Sequence, residues 1–113
     1  MTNHEDLPYL EHIIDAIKDI EESAKNVSKK KFLKNKDIRD SNIRRIEVIG
    51  EAAKNISNAL KERHKEIEWV KIIGTRDKII HHYFGVNLDI IWEIIKKDIP
   101  KLKQKILKIK KDL

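Results

Sequence analysis

The sequence predicts an all-α protein: an up-and-down helical bundle of four main helices plus a short helix carrying a cluster of chemically active side chains. Three observations predict it. Apolar residues recur at spacings of three and four almost throughout, and no run alternates as a half-buried strand does. Gly occurs three times and Pro twice in 113 residues, so long stretches hold nothing that interrupts a helix. Hydrophobic residues make up 40% and charged residues 39%, a balance that fits neither a disordered nor a membranous chain.

The first helix is expected over Asp6 to Val27. Asp6 is its candidate N-cap, and Pro8 falls in the first turn, where a missing N–H does no harm. Its stripe is Leu10, Ile13, Ile17, Ile20, Ala24 and Val27. A basic connection, SKKKFLKNK, leads to a long second helix over Asp37 to Arg63 with the stripe Ile46, Ile49, Ala53, Ile56 and Leu60. Gly50 interrupts that stripe. A mid-helix Gly costs about 1 kcal/mol relative to Ala, so its presence suggests close approach of another helix. HKEIEWVKIIG reads as a connection with Trp69 as its apolar plug, and both Trp69 and Trp92 are expected in the core. Thr75 then caps a short third helix, Arg76 to His82, which Phe84 and Gly85 end. Asn87 caps a fourth helix bearing Ile91, Ile95, Ile99, Leu102, Ile106 and Ile109; at Pro100 either Asp98 caps a continuation or the helix kinks. Residues 1–113 are read as a single domain.

Composition narrows the function. With no Cys, disulfides, thiolate metal sites and Cys nucleophiles are excluded. His4, His12 and His64 are scattered, so no metal site and no cofactor are expected. No apolar run approaches the roughly 18 residues of a membrane span, and MTNHEDLPYL lacks the apolar core of a signal peptide. A cytoplasmic location without membrane contact is expected. The net charge of +6 favours nucleic acid or an acidic partner. Much of the excess lies in SKKKFLKNK and KLKQKILKIKK, which read equally as solvated surface. The Lys-rich stretch 29–36 suits either RNA phosphates or an acidic protein face.

Residues 74 to 85, GTRDKIIHHYFG, gather Arg76, His81, His82 and Tyr83. Arg with His suits phosphodiester cleavage: the imidazole moves protons near neutral pH, and the guanidinium fork matches phosphate oxygens. A ribose 2′-OH supplies an internal nucleophile, so RNA can be cut this way without a metal. Arg76 is expected in the first turn of its helix, where free N–H groups favour an anion and a cation is slightly unfavourable. One objection is geometric. Residues five apart on an ideal helix point about 140° apart. Arg76 and His81 converge only through the reach of Arg, a distorted helix end, or a second subunit.

RDKIIHHY has the form Arg, four residues, His, any residue, Tyr, and resembles the signature of the HepT-like toxins of the HEPN superfamily. The likeness extends through EVIGEAAKNIS, EWVKIIGTRDK, HYFGVNLDIIWEIIKKDIPKLKQKI and the N-terminal DLPYLEHIIDAIKDIEE, nearly the whole chain. The resemblance implies a helical homodimer with the two motifs near the dimer cleft. It implies metal-independent endoribonuclease activity, as the toxin of a type VII-like toxin–antitoxin pair. The implied partner is an MntA-like nucleotidyltransferase antitoxin that transfers AMP from ATP to the motif Tyr. Carried onto this chain, Arg76 holds the scissile phosphate, His81 is the general acid/base, and Tyr83 is the AMP acceptor. Negative nucleotides on Tyr83 would repel RNA. Asp77 either orients Arg76 or only favours the helix N-terminus. Glu51 either braces the site or pairs with Lys54 or Asn55. His82 fills the variable position and is given no role. The alternative is a non-catalytic HEPN module presenting RNA or nucleotide to a partner nucleotidyltransferase. A structural dimer with a vestigial motif is disfavoured by the intact Arg, His and Tyr.

Overall fold

A computed structural model describes residues 5–81 and 86–113. The described residues are helical and include no strand. Helix α1 spans Leu7–Ala24, α2 Lys29–Lys34, α3 Lys36–Asn55, α4 Asn58–Arg63, α5 Trp69–His81 and α6 Leu88–Glu93. A π-helical turn over Ile94–Asp98 runs into α7, Ile99–Asp112. Helix α3 is central, packed against α1 on one side and α5 on the other, while α7 returns along α1.

The predicted stripes form the core. Leu10, Ile13, Ile17 and Ile20 of α1, Ile46, Ile49 and Ala53 of α3, and Ile99, Leu102, Ile106 and Ile109 of α7 are all buried. Trp69 is buried and donates its indole N–H to the His64 carbonyl at 3.0 Å. Trp92 is half-buried, its ring 5.1 Å from that of Phe32 and capped by the Lys96 ammonium at 4.7 Å.

Element boundaries differ from the sequence reading at several places, each for a local reason. Helix α1 stops at Ala24 rather than Val27, because Asn26 takes the left-handed conformation, φ 59°, that ends helices. Asp6 precedes α1 but does not cap it; its carboxylate accepts from the Ser57 N–H at 2.8 Å and hydroxyl at 2.6 Å. The basic connection is itself helical: Ser28 caps α2, and the fully buried Phe32 anchors it. The long second helix breaks at Ile56, and Ser57 caps the separate α4. The Asp98 side chain does not cap the start of α7. The π turn shifts the hydrogen bonding, Ile99 N–H donating to Ile94 five residues back, so the proline lies at the start of α7.

The largest difference concerns α5. Residues 69–74, read as connection, are helical, and Thr75 is no N-cap: its hydroxyl donates to the Lys71 carbonyl one turn back at 2.8 Å. Arg76 therefore sits two turns inside a helix. The expected anion site at a helix N-terminus is absent there, and so is the argument from an Arg opposing the dipole. The predicted ending at Phe84 and Gly85 lies outside the described residues.

Candidate functional site

The approach of α5 to α3 fixes Arg76. A Cβ built on Gly50 would overlap the Arg76 Cβ, and would lie 2.9 Å from its Cγ and 3.2 Å from the Ile72 carbonyl oxygen. Only a residue without a side chain lets the Arg76 stem lie against α3. The guanidinium then emerges at the edge of the interface, with the side chain 21% exposed. Its Nη2 donates to Glu51 Oε2 at 2.6 Å, and its Nη1 to Asp77 Oδ1 at 3.1 Å. The buried Nε–H has no partner among the described residues.

These contacts place both acidic side chains on Arg76. Glu51 reaches Arg76 across the helix pair; its backbone carbonyl, not its carboxylate, accepts from Asn55. Asp77 lies mid-helix and pairs with Arg76, so it does not serve a helix N-terminus.

Arg76 opens into a solvent-open groove. Its floor is one face of α3, with Arg44, Glu47, Glu51 and Asn55. One wall is Arg76 and Ile80 of α5, and the other is Tyr9 and His12 of α1. Arg44 pairs with Glu47, so both carboxylates of the floor are already matched by an arginine. The Tyr9 and His12 rings stand edge to face, centroids 6.3 Å apart and planes at 87°. A second cleft, lined by Ile46, Ile72 and Leu102 with Lys71 and Asp98 at its edge, is more apolar and contains no arginine.

His81 is the last residue of α5, and its side chain is outside the described set, as are His82 and Tyr83. With α5 continuous from Arg76 to His81, the two positions are about 140° apart around the helix. Ile80, one turn from Arg76, is the α5 residue that shares the groove with it.

The sequence reading missed the α1 wall. His12 reads in the sequence as one of several scattered histidines. The signal lay in LPYLEH: Tyr9 and His12 are three apart and share a face that the core stripe Leu10, Ile13, Ile17 leaves free. Arg44, Glu47, Glu51 and Asn55 recur likewise at three and four on α3, opposite Ile46 and Ile49.

Fold and groove define a class: a helical bundle with an arginine held at a three-helix groove by a glycine contact and two carboxylates. The family described as "Ribonuclease HepT-like" matches residues 13–109, and the chain belongs to that family. A "Probable ribonuclease HepT" of Thermococcus cleftensis is 45% identical over 96% of this chain and 97% of its own length. A "Putative RNase" of Caldanaerobacter subterraneus is 43% identical over 90% of this chain and 91% of its own. A Methanocaldococcus jannaschii protein named "Gamma-glutamylcyclotransferase and putative RNase" is 47% identical over 93% of this chain, which spans only 47% of that protein. No solved structure matches. No helix of the described residues is long and apolar enough to cross a membrane.

Proposed function

We propose that the protein is a metal-independent endoribonuclease in which Arg76 holds the scissile phosphate and His81 moves the protons. The observation that carries this reading is Arg76 itself. Its stem is fixed against Gly50, and its fork is aimed at carboxylate oxygens in an open groove. Carboxylate and phosphate present similar paired oxygens to a guanidinium. An incoming phosphate takes the place of Glu51, which is half-exposed, while Asp77 on the same helix continues to hold Nη1. His81 takes the proton of the 2′-OH, the 2′ oxygen attacks phosphorus, and the bond to the 5′ oxygen breaks. His81 returns that proton to the leaving 5′ oxygen, giving a 2′,3′-cyclic phosphate and a 5′-OH. Arg76 stabilises the charge that builds on the phosphate, a contribution of order 10²–10³ in rate.

The angular offset between Arg76 and His81 supports a site shared across a homodimer, with Arg76 of one protomer and His81 of the other serving one phosphate. In the wider reading the protein is the toxin of a toxin–antitoxin pair. Its MntA-like nucleotidyltransferase partner adenylylates Tyr83 and closes the site by charge and bulk. The HepT-like family membership and the RNase names of the relatives support the nuclease part.

Product analysis tests the chemistry. RNA cut in excess EDTA should carry cyclic phosphate ends, and a single 2′-deoxy nucleotide at the scissile position should block cutting there. Cleavage that requires a divalent ion, or that ignores the 2′-deoxy substitution, would contradict it. Inertness on every RNA tried would favour the non-catalytic binding module.

A further inference from the structure

We propose that the α1 wall of the Arg76 groove is a nucleobase subsite, in which the His12 ring stacks on a base of the RNA whose phosphate Arg76 holds. The inference rests on the ribonuclease reading and names how that site grips its substrate.

Three observations lead to it. First, the groove presents arginines from its floor and one wall, and both floor carboxylates are matched by them. An incoming phosphate competes with Glu47 or Glu51 for these two guanidinium groups. Secondly, the opposite wall is a pair of rings. His12 is exposed, Tyr9 is half-buried, and the two rings stand edge to face. Because the two planes are nearly perpendicular, one base can lie parallel to only one of them, and the exposed ring is the accessible one. Thirdly, the bundle core does not use His12. Its neighbours Leu10, Ile13 and Ile14 are buried on the other side of α1.

A cation facing a ring across a groove is the pattern that single-stranded nucleic acid satisfies, with phosphate to one side and base to the other. Arg44, with a 70% exposed side chain, stands at the same groove and can take a neighbouring phosphate.

The test separates stacking from proton transfer and from mere proximity. The probe is a short 2′-O-methyl RNA oligonucleotide, which lacks the attacking hydroxyl, with binding read by fluorescence anisotropy and folding by circular dichroism. His12→Ala should weaken binding about tenfold, in the range of one lost base–aromatic stack. His12→Phe keeps a ring face and should bind within about twofold of wild type. In an otherwise intact probe, one abasic position should cost wild type about tenfold and cost His12→Ala nothing further, since the two changes remove one interaction. On cleavable RNA, His12→Ala should raise KM and leave kcat unchanged. If His12→Ala binds like wild type, the subsite does not exist. If His12→Phe is as weak as His12→Ala, or if kcat falls instead of KM rising, the imidazole acts through a proton or hydrogen bond and the stacking proposal is wrong. Wild type that cuts RNA but is indifferent to His12 removes the subsite alone. Wild type that neither binds nor cuts RNA removes the ribonuclease reading, and the subsite with it.

Discussion

At Gly50 an added methyl group would collide with the stem of Arg76, whereas at Gly74, on the facing helix, it would meet nothing within 4 Å. The two glycines should therefore respond oppositely to alanine. Gly74→Ala should stabilise the fold by up to about 1 kcal/mol through helix propensity alone. Gly50→Ala should destabilise it by about 1–3 kcal/mol, because α3 and α5 must separate. Urea denaturation of the pair reads both signs. Gly50→Ala should also lose cleavage activity well beyond its stability loss, because it displaces the guanidinium. Arg76→Lys should not restore function. A lysine keeps the charge but lacks the two-pronged fork that meets Glu51 and Asp77, so kcat/KM should stay at least about 100-fold below wild type.

At the scale of elements, the apolar stripes were legible and their ends were not. Periodicity reports which face is buried, and every predicted stripe residue is buried. Ends depend on single residues whose role is set by tertiary context. Gly74 and Thr75 look like a stop and a cap, yet both lie within α5, Thr75 bonding back to Lys71. Asp6 looks like a cap and instead ties the start of α1 to Ser57, 51 residues away. Because the buried Asp6 carboxylate accepts both the Ser57 N–H and hydroxyl, Asp6→Ala should cost about 2 kcal/mol. Ser57→Ala should account for part of the same loss, and a double-mutant cycle measures the share. The loop before α5 carries a smaller, pH-dependent device. Glu66 is held below the ordinary carboxylate range, first by its own backbone N–H and then by His64. A depressed folded-state pKa stabilises the protein above the unfolded value and is lost as pH falls through the folded one. Glu66→Gln should lower stability slightly at neutral pH and leave it unchanged below the folded-state pKa, so the curve flattens between them; urea denaturation at several pH values reads this.

At the scale of the whole molecule, the site was legible in pieces. The Arg76–Glu51–Asp77 cluster could be named because family resemblance marks those positions in the sequence. The groove could not, because Tyr9, Arg44 and Arg76 meet only once α1, α3 and α5 are packed together. The same packing leaves Arg76 and His81 on different sides of α5, and this has a consequence for assembly. If each phosphate is served by Arg76 of one protomer and His81 of its partner, two inactive variants should complement. Arg76→Ala and His81→Ala, mixed and refolded together, should regain cleavage that neither shows alone. The net charge of +6 predicts a second global property: binding to RNA should weaken steadily with salt, as phosphate contacts release counterions.

If Arg76 and His81 cut RNA, losing either should abolish cleavage without unfolding the protein. Single-turnover cleavage in EDTA by wild type, Arg76→Ala and His81→Ala, each confirmed folded by circular dichroism, tests it most directly. Wild type should cut, and each folded variant should lose at least about 100-fold. Equal cleavage by His81→Ala or by Arg76→Ala would contradict it.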